Sequence, residues 1–239
     1  MCIAIYKPKN TKLKRKALEN SAESNPDGFG VGWSDGKTLK CFRTMKEGEW
    51  IDKVMSLEKY PAIIHARIKT HGKTDLGNCH PFRVEAGLAF IHNGVLPTST
   101  AKNPDRSDTW HFNELILKPL VKKLGSLHQS LVPLLVEYAR GSKLVFLDYA
   151  GRHLIVNESA GHRHEGAWFS NCSYKEYEPF IPYKPSRHRS PYYASYYGEL
   201  WEDSFEGVKE YKKPAETFEK ALEEQAVREW EKKNFHDGK

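Results

Sequence analysis

The residue with the most direct chemistry is Cys2. A small residue after Met1 favours removal of the methionine, which would leave a thiol and a free α-amine on one residue. An α-amine titrates at roughly 7.7–8.0, so at neutral pH part of it is an unprotonated base. A nucleophile carrying its own base is one route to covalent catalysis. The competing reading is a small core residue, because CIAIY, residues 2–6, also reads as a short buried strand.

Three further segments carry groups that would complement such a thiol. In HARIKTHGKTDLGNCHPF, residues 65–82, Arg67 offers a planar fork suited to a carboxylate. Thr70 and His71 follow at the strand's end, where side chains can face a pocket, and Gly72 allows a tight turn. In AFIHNGVL, residues 89–96, Asn93 supplies an amide donor and Gly94 a backbone N–H, a pair that could form an oxyanion hole. An isolated Asn-Gly is more often a hairpin turn. In Ser107-Asp108-Thr109, just before an apolar-periodic helix, Asp108 reads as a helix cap or first-turn acid, and also as an anion for a substrate ammonium. His65, His71, His80 and His92 fall close together without HxH or HxxxH spacing, so no metal site is expected there. His162 and His164 do form HxH, but in a Gly-bounded loop with no third ligand nearby in sequence.

The elements that must position these groups can be read from periodicity and turn signals. A helix is predicted over Thr11–Ser24, capped by Asn10 or Thr11, then a turn at Asn25–Gly28 and a strand through Trp33. Ser34–Lys37 makes a hairpin turn with Thr38–Thr44 as the returning strand. Lys46–Glu58 reads as a helix, and Ala62–Lys69 and Ala86–His92 as strands. Asp108–Lys123 and Leu127–Arg140 read as helices, Lys143–Tyr149 with Arg152–Asn157 as a second hairpin, and Trp168 and Phe169 as part of a further strand. Hairpins with helices gathered in blocks imply α+β layers rather than a doubly wound parallel sheet.

Composition narrows the class. With 39% hydrophobic and 28% charged residues in 239, the chain is globular rather than disordered. No apolar run approaches the roughly 20 residues of a membrane helix, and MCIAIYKPKN does not read as a secretory signal. Cys2, Cys41, Cys79 and Cys172 are widely spaced, which fits a reducing compartment and a cytoplasmic location. The basic run Lys7–Lys16 reads as a solvated helix face; nucleic acid is not an expected partner, since no aromatic interleaving accompanies it. After Phe180 the composition turns to Pro, Ser and Tyr, an irregular arm, and Pro214–Asn234 reads as a charged helix. The expected division is therefore a domain over 1–180 and an extension over 181–239.

Taken in order, these features resemble the glutaminase domain of class II glutamine amidotransferases. The resemblance rests on Cys2, the DGFG turn at 27–30, R-x-x-T-H-G at 67–72, NCHPF at 78–82, HNG at 92–94 and SDT at 107–109. WFSN at 168–171 is similar to small stand-alone members. The resemblance implies an N-terminal nucleophile hydrolase fold: α+β, a four-layer αββα sandwich of two antiparallel sheets flanked by helices. It also implies roles: Cys2 as nucleophile, Asn93 and Gly94 as oxyanion hole, Arg67 on the α-carboxylate of L-glutamine, Thr70 and His71 in the pocket, and Asp108 on the α-ammonium. No metal or cofactor is implied. With only the 181–239 extension beyond the domain, the chain is expected to be a stand-alone glutaminase serving a separate ammonia-accepting synthetase or transferase subunit, or releasing ammonia freely. The chain departs from many relatives at Lys69, at Trp110 and at Ser24 and Asn25. The alternatives are an N-terminal nucleophile hydrolase of another amide, which the Arg67 and Asp108 pairing opposes, and a non-catalytic binding module on the same fold.

Overall fold

The computed structural model describes residues 2–124 and 131–176. Met1, residues 125–130 and everything from residue 177 on, including the extension 181–239 with its expected arm and helix, lie outside the described residues. The element order is β1 (Ile3–Lys7), α1 (Arg15–Ser24), β2 (Phe29–Ser34), β3 (Leu39–Thr44), α2 (Glu47–Met55), β4 (Ala62–Ala66), β5 (Phe82–Glu85), β6 (Leu88–Asn93), α3 (Asp108–Phe112), α4 (Lys118–Leu124), α5 (Val132–Ala139), β7 (Lys143–Asp148), β8 (His153–Val156), β9 (His162–His164) and β10 (Ala167–Phe169). A π turn, Asn113–Leu117, joins α3 to α4.

The strands form two sheets, one ordered β3-β2-β4-β1-β10-β9 and the other β5-β6-β7-β8. Every strand pairing in them is antiparallel. Alternation along the strands assigns each face its layer. In β1, Ile3 and Ile5 pack with Leu18 of α1 and Trp50 of α2, while Ala4 and Tyr6 turn the other way onto Ala89 and Ile91 of β6. In β6, Phe90 faces Phe112 of α3 and Leu135 of α5. Three apolar clusters thus mark three interfaces: helix on sheet, sheet on sheet, and sheet on helix. This is the expected four-layer αββα sandwich. Strands buried on both faces explain why CIAIY and LVFL read as continuous apolar runs.

Two interior features depart from apolar packing. Lys7, 1% exposed, donates its Nζ to the carbonyls of Pro8, Glu58 and Tyr60, tying the end of β1 to the turn after α2. Burial pulls its pKa down to about 8. The other feature is the alternation FGVGW in β2. The chain at His80–Pro81 lies against its inner face, and a Cβ at Gly30 would sit 1.9 Å from the His80 carbonyl oxygen. Gly30→Ala is therefore expected to destabilise the fold by about 1–3 kcal/mol or more through overpacking. A urea melt checks this; an unchanged midpoint would mean the His80 segment moves away freely.

The local expectations differ in four places. Helix α1 begins at Arg15 after Lys14, with no side-chain cap, so neither Asn10 nor Thr11 caps it; Asn10 takes a left-handed conformation instead. The strand predicted to Lys69 ends at Ala66, although Arg67 still exchanges backbone bonds with Asp27 and Gly28. Strand β5 goes unforeseen because Pro81 obscures its start. His162–His164 is a strand paired to β10, not a loop.

Candidate active site

Cys2 lies just before β1, half-buried, and its Sγ is held by the backbone of Ile68: 3.2 Å from the carbonyl oxygen and 3.3 Å from the N–H. The Asn171 side chain donates to the Cys2 carbonyl at 2.7 Å. Burial pushes the thiol pKa up, while the Ile68 bond and the nearby Arg67 charge pull against that shift. A thiol held above its ordinary pKa needs a base to become a nucleophile.

Arg67 is 3% exposed and follows β4. Its guanidinium donates to the carbonyl of His71 at 2.7 Å and of Lys73 at 3.1 Å, so the chain after β4 folds around it. A guanidinium has five N–H donors, which leaves some for a carboxylate. Thr70 and His71 are exposed on this loop.

Asn93 ends β6, 1% exposed, and its amide donates to Ser170 Oγ at 2.6 Å. Ser170 Oγ in turn accepts the Ala4 N–H at 2.9 Å. Asn93 is thereby tied to β1 at Ala4, two residues after Cys2. The amide's second N–H is left for an oxyanion. Gly94 has φ of +138° and is pressed against Ser142, where a Cβ would fall 2.2 Å from the hydroxyl oxygen. That close approach, not a hairpin, explains the glycine: β6 pairs with β5 and β7.

Asp108 is the first residue of α3, and the cap is Ser107, whose Oγ accepts the Trp110 N–H at 3.1 Å. One Asp108 oxygen accepts the Leu96 N–H at 2.7 Å and the other the Thr109 N–H at 2.8 Å. A carboxylate has about four lone-pair sites, so an ammonium can still be received.

The sequence reading missed the residues that join these parts. Asn78 donates to the carbonyls of Lys73 at 3.0 Å and Asp105 at 2.8 Å, and accepts the Ser107 N–H at 2.9 Å. It locks the loop around Arg67 to the start of α3. Asp27 accepts the Lys69 N–H at 2.8 Å. Ser170 lies inside the WFSN segment, whose hydroxyl and amide were the available signal. The position of Ser24 and Asn25 serves packing: Asn25 is buried and bonds Ser21 and Ser173, and Ser24 bonds the Ser173 carbonyl.

Three histidines lie beneath this site. His65 Nε2 donates to the His92 carbonyl (2.9 Å), His92 Nδ1 meets Thr109 Oγ1 (2.8 Å), and the rings of His65 and His80 lie 4.0 Å apart. Among the described residues no group of three His, Cys, Asp or Glu side chains is arranged to hold a metal ion. Among them, too, no helix is long and apolar enough to cross a membrane.

No family model matches the chain, and no curated protein matches it. Solved structures do. A glutamine phosphoribosylpyrophosphate amidotransferase from B. subtilis is 15% identical over 71% of this chain and 41% of that one, with a TM-score of 0.39. A glutamine aminotransferase class-II domain protein from Silicibacter pomeroyi is 15% identical over 71% of this chain and 87% of its own, also at 0.39. A structure titled as the allosteric regulatory enzyme of purine biosynthesis is 16% identical, covering 71% and 41%, at 0.39. The chain thus spans about two fifths of the first and third structures and most of the second. Its fold assignment rests on its own strand order, register and layering, and in outline it is similar to these amidotransferase structures.

Proposed function

We propose that the protein is a class II glutamine amidotransferase that hydrolyses the side-chain amide of L-glutamine through a γ-glutamyl thioester on Cys2. The observation that carries this reading is the setting of the thiol. Cys2 immediately precedes the first strand of the sandwich, its sulfur is held by the residue after the buried Arg67, and Ala4, two residues on, is tied through Ser170 to Asn93. These bonds support a site in which a nucleophile, a cation and an amide donor serve a zwitterionic amide substrate.

After loss of Met1, the α-amine of Cys2 takes the thiol proton. The thiolate attacks the amide carbon, and the charge that develops on oxygen is met by Asn93 Nδ2 and the Gly94 N–H. The proton returns to the leaving nitrogen, ammonia departs, and water cleaves the thioester to glutamate. One such oxyanion donor is worth about 3–4 kcal/mol. Arg67 takes the α-carboxylate and Asp108 the α-ammonium, with Thr70 and His71 at the pocket's edge. The ammonia passes to a separate synthetase or transferase acceptor or is released.

Asp108 tests the substrate assignment. Asp108→Asn retains one acceptor oxygen where the carboxylate serves both Leu96 and Thr109, so stability is expected to fall by about 1–3 kcal/mol. Glutamine kcat/KM is expected to fall at least about tenfold, while turnover of a simple amide lacking the charged head group changes little. Steady-state kinetics on both substrates at a temperature where the variant is folded checks this. Equal losses on both would take Asp108 out of substrate recognition.

A further inference from the structure

The cations that the glutamine chemistry does not use converge on a second place. A cleft of about 390 Å3 is lined by Arg43, Arg83, Arg106 and Lys118, with Phe82 and Trp110 as apolar walls. Glu114 is the one carboxylate among the lining residues, and it pairs with Lys118. Arg106 reaches Asp75 only at 3.4 Å. Arg43 donates to the Cys79 carbonyl at 3.4 Å, and Arg83 to the carbonyls of Leu39 and Ala86 at 2.8 and 2.9 Å. Among the described residues neither Arg43 nor Arg83 has a carboxylate partner.

With Glu114 on Lys118 and Asp75 on Arg106, the four cations face two anions, an excess of two positive charges carried by Arg43 and Arg83. A concave wall of one sign concentrates oppositely charged ligands. Guanidinium forks match the geometry of phosphate and carboxylate oxygens. The size of the imbalance favours phosphate, since a phosphate monoester carries about −1.5 to −2 at neutral pH where a carboxylate carries one charge. The half-buried Trp110 adds a flat surface, and the Arg106 guanidinium lies 6.0 Å from its ring centroid. The volume falls within the roughly 300–1,000 Å3 of small-molecule sites.

We propose that this cleft binds a phosphate-bearing small molecule with a flat ring, of mononucleotide size, its phosphate on the arginine wall and its ring against Trp110. The site is separate from the thiol but shares supports with it. Arg106 and Trp110 flank Asp108 in the chain, and Gly77, which lines the cleft, precedes Asn78, the residue that locks the loop around Arg67.

Calorimetric titration of the full chain needs no turnover, so it separates this proposal from the glutamine reading. The probes are adenosine monophosphate, ribose 5-phosphate, inorganic phosphate and adenosine, in separate arms. Saturable binding of adenosine monophosphate is expected, weaker binding of ribose 5-phosphate and phosphate, and the weakest of adenosine. Arg106→Gln should weaken the nucleotide at least about tenfold. Trp110→Leu should weaken the nucleotide while sparing inorganic phosphate. Lys118→Gln serves the same purpose as Arg106→Gln should the latter fail to fold in a thermal melt. No saturable binding of any phosphate probe would overturn the proposal. So would nucleotide binding that the folded cleft variants leave unchanged, or binding of a single-stranded RNA without binding of the mononucleotide.

Discussion

Between about pH 7.5 and about pH 5 the protein is expected to lose about 6 kcal/mol of stability to three buried histidines. His65, His80 and His92 are 0%, 3% and 2% exposed. Burial is the main cause that holds their imidazoles neutral, lowering the pKa of His65 to about 3 and of His92 to about 4, and that of His80 well below its ordinary value. At His65, the bond to the His92 carbonyl opposes the shift and the His92 and Arg67 charges add to it. Arg67 and Arg43 also press on His80, while Asp108 opposes the shift at His92. In the unfolded chain each titrates near about 6.5. Below that value the unfolded state takes up protons that the folded state refuses. Stability is therefore intact above the unfolded value and falls by about 1.4 kcal/mol per pH unit per histidine as the pH drops. Against a total of about 5–15 kcal/mol, the loss is large enough to unfold the domain. Urea melts at the two pH values measure it. His80→Phe, which keeps a ring of similar shape, should shrink the difference by about a third. Equal stability at both pH values would contradict a neutral buried cluster.

Cys2→Ala is expected to lower glutamine hydrolysis at least about a thousandfold, since removal of a covalent nucleophile leaves only binding and oxyanion stabilisation. The fold should survive, because the side chain is half-buried and bonds only the Ile68 backbone. A lost sulfur hydrogen bond costs about 1 kcal/mol or less. Cys2→Ser should be equally inactive, because a hydroxyl is far less readily deprotonated by an amine. Cys172 is exposed and Cys79 is buried between Met45 and the Asp75 carbonyl. Their alanine variants should retain turnover once stability is accounted for. Loss of activity in Cys79→Ala or Cys172→Ala with retention in Cys2→Ala would sink the assignment of the nucleophile.

Much of this architecture was legible because strands buried on both faces leave unbroken apolar runs and the hairpins carry Gly-rich turns. Layering followed from those runs. Cys2 ahead of β1 and Asn93 at the end of β6 agree with the strand reading, whereas Arg67, read inside a strand to Lys69, follows the end of β4 at Ala66. What escaped were contacts between distant segments. Asn78 looks like any polar loop residue until the chain around Arg67 is closed, and Ser170 gains its role only when β10 pairs with β1. Asp108 read as a cap because its carboxylate can serve either end of that helix start, and only the distance to Leu96 reveals the second bond. The glycines of β2 give no local sign of the His80 segment they admit, and neither the buried histidines nor the basic cleft follow any spacing rule.

The central claim, a Cys2 thiol beside a free α-amine that reacts with a glutamine amide carbon, is tested most directly by intact mass. The protein is weighed before and after treatment with a glutamine-mimicking electrophile, and the modified peptide is sequenced. The expected result is a chain lacking Met1 that gains one adduct, on Cys2, with glutamine protecting and loss of glutaminase activity in step with labelling. A chain that keeps Met1 and still turns over glutamine, or an adduct on Cys41, Cys79 or Cys172 with Cys2 untouched, would contradict it.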